Sequence, residues 1–303
     1  MRVGMKLRIL CTIAFVLGFN CLHAQWVHFV ADKKVAERTK ATRLAIVIKK
    51  EDPYWEKYYR KHKDSGGRLE KYRKNIETYN QHIVEAVKIA WDYTEEVIVV
   101  EEEKATMLEE LGDNTYTLMK FGEYFPDLPL GAMHDHTPLT PALTVTTTRK
   151  PENPIAYSEF ETILNKGLLV HNVANLNAQL HDCLENDVTT GAAWQRGWKK
   201  RTPLLKQKTI LVCDRWISDA DEQALQDENW LKTLPFKVKV VTMDELVDYL
   251  VTRDEQYAFY TTLFVDDCIA DVKDGRHMYY HKARMNGTVQ RLLEDAAKDV
   301  NKD

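Results

Sequence analysis

What the sequence lacks narrows its function more than what it contains. It has no G-x-S-x-G elbow, no H-E-x-x-H and no C-x-x-C, so the commonest serine-hydrolase, zinc-protease and dithiol signatures are missing. Glycine is scarce, with 12 in 303 residues, and none forms a phosphate loop after an apolar strand. Without glycines there, backbone amides cannot approach a pyrophosphate closely, which argues against a nucleotide cofactor. Beyond residue 22 no stretch is long and apolar enough to span a bilayer. Excess positive charge is also missing. The net charge is −4, which argues against non-specific binding to nucleic acid or anionic membranes. The basic clusters at 68–74 and 196–201 have no interleaved aromatic pattern for base stacking and read as solvated faces.

Cysteine is sparse too. Cys11 and Cys21 lie in the first 24 residues, leaving Cys183, Cys213 and Cys268, which have no metal-site spacing and are too few for a disulfide scaffold.

The first 24 residues stand apart. Arg2, Lys6 and Arg8 precede an apolar run at 9–22, and Ala24 offers a small residue for cleavage. This pattern predicts a secretory signal peptide and an exported, soluble protein, periplasmic or secreted, that begins near Gln25. Removing those residues takes away three positive charges and leaves 39 basic against 46 acidic residues, a balance of −7.

The rest of the chain alternates short apolar runs with helical periodicity. Strands are expected at Arg43–Ile48 (RLAIVI), 97–100 (VIVV), 115–121 and 142–149, and again at Thr209–Cys213, 236–241, 256–264 and 276–284. Asp52-Pro53 predicts a capped helix start. Tyr54, Trp55, Tyr58 and Tyr59 follow at helical spacing, then Gly66-Gly67 as a break. A long helix over 68–93 carries Leu69, Tyr72, Ile76, Tyr79, Ile83 and Val87 on one face, a stripe expected in the core. Pro151 to Pro154 reads as a hinge-like turn. Ser158-Glu159-Phe160-Glu161 reads as a capping box that opens a helix to about residue 185, with His171 and His181 facing solvent or capping neighbours. A second capping box is Thr242-Met243-Asp244-Glu245.

The later strand–helix–strand stretch, 208–264, repeats an earlier one. An offset of 141 places Val97 on Val238, Val99 on Val240, Val100 on Val241, Asp113 on Asp254 and Tyr116 on Tyr257 without a gap. The expected architecture is α/β, with two similar βαβαβ(β) Rossmann-like halves of mostly parallel strands. The expected segments are a signal peptide (1–24), a first half (25–157), a connecting helix and irregular linker (158–207) and a second half (208–303).

Tyr79-Asn80, Ile83, Ala86-Val87 and Trp91, followed by a short strand, form a YN…AV…W pattern. In this the chain resembles functionally uncharacterised exported proteins of Gram-negative bacteria. The resemblance implies export and carries no mechanism.

Chemistry is expected at the carboxyl ends of the strands. Asp52 lies there in the first half, with Asp214, Arg215, Asp244, Asp266 and Asp267 in the second. His134, Asp135 and His136 could hold a divalent metal. Cys213 and Cys268, each following a strand, could pair as a disulfide. The preferred reading is a non-catalytic binding or structural module for a small molecule or protein. The alternatives are a metal-dependent hydrolase built on the His/Asp cluster and a periplasmic solute-binding protein with an inter-half cleft.

Overall fold

A computed structural model describes residues 32–61, 66–124, 140–159, 165–263, 266–281 and 288–301. The first half contains α1 (Lys33–Lys40), β1 (Arg43–Ile48), α2 (Pro53–Lys61), α3 (Gly66–Ala90), β2 (Val97–Glu101), α4 (Glu102–Leu111), β3 (Tyr116–Tyr124), β4 (Thr140–Thr147), β5 (Lys150–Glu159) and α5 (Lys166–Asn186). Helix α6 (Gly191–Arg201) and a 3-10 turn (Thr202–Gln207) lead into the second half. That half runs β6 (Thr209–Cys213), α7 (Asp219–Gln226), α8 (Glu228–Leu231), β7 (Lys237–Val241), α9 (Met243–Thr252), β8 (Tyr257–Leu263), β9 (Asp266–Asp271), β10 (His277–His281) and α10 (Val289–Val300).

Each half is a five-stranded sheet with the same topology, in the orders β2-β1-β3-β4-β5 and β7-β6-β8-β9-β10. The first three strands are mutually parallel and the last two are joined on by antiparallel pairings, so both sheets are mixed rather than mostly parallel. The central strands β1 and β6 are apolar because each is covered on both faces.

The sequence offset of 141 coincides with the pairing register. Leu44 faces Val97 where Ile210 faces Val238, and Arg43 faces Tyr116 where Thr209 faces Tyr257. Asp113 and Asp254 make the same turn: each accepts the amide of the residue two ahead at 2.9 Å. At the end of the preceding helix, Gly112 and Arg253 hold the same left-handed conformation, with φ of 57° and 55°.

Several expectations need correcting. Residues 151–154 are part of β5, not a hinge. Proline is tolerated there because β5 is an edge strand with irregular register. Ser158 and Glu159 also belong to β5, and the following helix is capped instead by Asn165, whose side chain accepts the Leu168 amide at 2.8 Å. Helices α2 and α3 are separate, and Gly66 and Gly67 are the first residues of α3, which starts two residues before the expected 68. The expected irregular linker is mostly the helix α6 and the 3-10 turn. Its tryptophans Trp194 and Trp198 are buried in the second half's core.

Helix α5 joins the halves. Its residues 167–180 are all buried, although many are polar. Leu169, Val173, Leu176 and Leu180 enter the first core, with Tyr79, Ile83 and Val87 of α3, while Leu168 packs in the second half. The polar side chains reach both ways. Gln179 Nε2 donates to the Tyr157 carbonyl of β5 at 2.8 Å, and Asn175 Nδ2 donates to the Gly275 carbonyl at 2.7 Å. Asn177 Oδ1 accepts the amides of Asp92 and Tyr93, both at 3.1 Å. His171 does not face solvent. It is buried, with its ring edge-on to Phe259 at 4.7 Å. Contact between the halves is close enough to require glycine. A Cβ on Gly167 would meet the Val247 backbone at 2.7 Å, and one on Gly275 would meet the Asn175 amide nitrogen at 2.6 Å.

Candidate functional site

In the first sheet the chain reverses direction beside β1, because β2 lies on one side and β3 on the other. In open α/β sheets this switch point forms a crevice at the strand ends. The residue leaving β1 is Lys49, held by the side chain of Asn80 on α3. Asn80 Oδ1 accepts the Lys49 amide at 2.8 Å and its Nδ2 donates to the Lys49 carbonyl at 2.9 Å. The carboxamide thus takes the place of a neighbouring strand's backbone. Lys49 Nζ then sits 3.6 Å from the ring centre of Phe121 and 5.8 Å from that of Tyr79. Tyr79 is buried against Phe121, and its hydroxyl has no hydrogen-bond partner among the described residues. Burial pushes that hydroxyl's pKa well up, with help from nearby Glu102. The YN…AV…W pattern is therefore a packing and clamping face. Tyr79, Ile83, Ala86, Val87 and Trp91 are core, and Asn80 is the clamp.

The charges around this end neutralise one another. Lys50 bridges Glu101 and Glu103 at 2.7 and 2.8 Å, which raises the lysine's pKa and lowers that of Glu103. Arg73 reaches Glu51 and Glu56 at 2.9 and 3.2 Å. Asp52 serves the backbone: its carboxylate accepts the Tyr54 amide at 2.7 Å and starts α2.

Helix α2 buries none of its residues. Tyr54, Trp55 and Tyr58 are 65%, 43% and 40% exposed, yet their rings are ordered against each other. Trp55 meets Tyr54 edge-on at 5.2 Å and Tyr58 at 5.7 Å, and it stacks on Tyr59 at 5.9 Å. Tyr59 in turn touches Tyr72 of α3 at 5.7 Å, and the Tyr72 hydroxyl accepts the Asp52 amide at 2.9 Å. The helix is held from its Tyr59 and Glu56 side, while its Tyr54–Trp55–Tyr58 side faces water. Sequence periodicity located these aromatics but not their exposure, because spacing does not say which helix face is covered.

The second-half candidates do not form one site with these. Asp214 and Arg215 are exposed on a 3-10 turn after β6, and Asp244 is an exposed residue in the first turn of α9. There a carboxylate complements the helix dipole. Residues 266–268 lie in β9 rather than in a loop. Asp266 is a strand position opposite Leu263. Asp267 is buried and accepts the Tyr260 hydroxyl at 2.9 Å. Burial, then Asp267, pushes the pKa of Tyr260 up.

Cys213 and Cys268 are both free and buried. They cannot bond, because β8 lies between β6 and β9, with Cys268 opposite Thr261 of that strand. Two strand spacings, about 10 Å, exceed the reach of a disulfide. Burial pushes the Cys213 thiol up to about 11. His134, Asp135 and His136 lie outside the described residues. Among the described residues, no three His, Cys, Asp or Glu side chains converge on a metal-binding point, and no helix is long and apolar enough to cross a membrane.

What sequence reasoning missed is the chemistry between the halves: the polar face of α5, and the Arg276 fork on Asp182, with Nη2 to Oδ1 at 2.9 Å. Their signal was faint, a helix rich in asparagine whose polar residues are not confined to one side. No family model, curated protein or solved structure matches this chain.

Proposed function

We propose that this chain is an exported, non-catalytic binding module whose contact surface is the aromatic face of α2. The observation that carries this reading is that α2 buries no residue while holding Tyr54, Trp55 and Tyr58 in mutual ring contact in water. Ordered, exposed aromatics bury large area at low entropic cost, as the central residues of interfaces do. The strand-end charges nearby are taken up in ion pairs, which suits a scaffold better than acid–base chemistry. Export rests on the first 24 residues and on the YN…AV…W resemblance. The common register of the two sheets supports an origin of both halves from one ancestral unit.

The solute-binding alternative needs an open crevice between the halves, and along α5 that space is filled to van der Waals contact. The hydrolase alternative needs His134, Asp135 and His136, and no second group among the described residues supports it.

Site-specific photo-crosslinking in the native envelope tests the proposal. A photoreactive residue at Tyr58 should give a discrete adduct, whereas the same residue at exposed Leu111 should not. Equal labelling from both positions, or none from Tyr58, overturns it.

A further inference from the structure

The occupant of the α2 face can be read from charge. α2 and the first nine residues of α3 carry seven lysines and arginines against two carboxylates. Among the described residues, Arg60 and Arg73 pair with Glu56, but no carboxylate pairs with Lys57 or Lys61. With 100° per residue, these two lysines fall beside Tyr54 and Tyr58 on the exposed side of the helix. The result is an aromatic ridge with a cationic border.

The complementary surface is at the matching place in the other half. β6 leads to α7 as β1 leads to α2. Residues 214–231, the stretch that holds the 3-10 turn, α7 and α8, carry six carboxylates against one cation, Arg215. Asp221 and Leu225 turn inward: Asp221 is buried, accepting the Ser218 hydroxyl at 2.6 Å and the Gln290 amide at 3.0 Å. Asp219 and Glu222 are exposed on the opposite side, and no cation pairs with either among the described residues. One helix therefore presents aromatic side chains and free ammonium groups. Its topological counterpart presents carboxylates that pair with no cation among the described residues, Glu222 accepting only from Gln226 Nε2 at 3.3 Å, beside the amide of Gln223; these oxygens can accept from tyrosine hydroxyls and the Trp55 indole.

We infer that the α2 face of one molecule docks on the α7 face of a second copy, giving head-to-tail self-association. The two surfaces differ and lie in different halves, so each copy keeps one of each free. The contact is heterologous and generates a ring or an open chain rather than a two-fold dimer. This inference rests on α2 being a docking face and adds the identity of the partner.

The test is sedimentation velocity on the purified chain, with two charge-reversed variants. One is Lys57→Glu with Lys61→Glu; the other is Asp219→Lys with Glu222→Lys. The wild type should associate with rising concentration up to about 100 μM, and association should weaken when salt is raised from about 0.05 to 0.5 M. Each variant alone should associate at least about tenfold more weakly. An equimolar mixture of the two should recover most of the wild-type association, because each restores the other's missing complement. Three results overturn the inference: a monomeric wild type over that range, association indifferent to both variants, or a mixture no better than its components. In a parallel arm with vesicles containing phosphatidylserine, binding lost in the lysine variant but unaffected in the Asp219/Glu222 variant identifies a lipid surface instead and also overturns it. A Tyr58 adduct with some other protein, with no self-association, sinks this inference and leaves the docking-face reading standing.

Discussion

Arg253 donates from Nη1 to the Ile89 carbonyl at 2.9 Å, which ties the end of α9 in the second half to the last turn of α3 in the first. Its Nε also donates to the Lys273 carbonyl at 2.6 Å. The backbone of Arg253 is left-handed, the conformation its counterpart Gly112 adopts without strain. The second half therefore accepts a conformational cost to place a guanidinium against the first.

Two substitutions separate strain from contact. Arg253→Ala should lose both hydrogen bonds and keep the strain, costing about 2–3 kcal/mol in urea unfolding. Arg253→Gly loses the same bonds but relieves the strain, so it should be about 1 kcal/mol more stable than the alanine variant. Equal stability of the two would refute the claim of strain.

Asn80→Ala should strand the amide and carbonyl of Lys49 at the end of β1. A loss of about 1–3 kcal/mol is expected. Hydrogen exchange at the Lys49 amide should accelerate more than at the β1 core amides. Asn80→Asp keeps an acceptor for the amide but offers no donor to the carbonyl, and should recover only part of the loss.

Gly275 and Gly112 are both left-handed, with φ of 71° and 57°, but differ in surroundings. A Cβ on Gly112 would meet only the Arg149 Cγ, at 3.5 Å. Gly112→Ala should thus cost about 1 kcal/mol, the backbone term alone. Gly275→Ala adds a clash with the backbone of α5 and should cost more than about 3 kcal/mol, separating the halves before either sheet melts. If both variants melt at the same temperature, the close approach of Gly275 to Asn175 is not structurally important.

Lys208 and Asp271 form an ion pair at 2.5 Å, with only 11% and 15% of their side chains exposed. Burial raises the Asp271 carboxyl, against the pull of Lys208. A carboxyl raised in the fold keeps its proton where the unfolded chain has lost it. Its contribution therefore falls as pH rises from the unfolded value of about 4 through the higher folded one. Lys208→Met removes the opposing charge, raises Asp271 further and should steepen that fall. The variant should lose about 3 kcal/mol at pH 7 and distinctly less at pH 4. A loss independent of pH would show that Lys208 acts through packing alone.

Much of the local structure was legible in sequence because local forces set it. Asp52 and Thr242 cap the helices they precede, the latter in a full capping box with Glu245. The repeat at offset 141 matches the strand register residue for residue. Where the reading failed, a local signal lost to a distant contact. Ser158-x-x-Glu161 has the pattern of a cap, but pairing with β4 carries Ser158 and Glu159 into β5, where the Ser158 hydroxyl meets Asn172 of α5.

The candidate site divides the same way. Sequence alone determined the aromatic spacing of α2, the missing phosphate loop and the two-half plan, because periodicity and turn chemistry act over a few residues. Tertiary structure decided which faces are covered. It placed α3 behind Tyr59 and left Trp55 in water, buried the polar side of α5 between the halves, and set β8 between Cys213 and Cys268. Burial is a property of pairs of surfaces far apart in the chain, and a single sequence records only one member of each pair at a time.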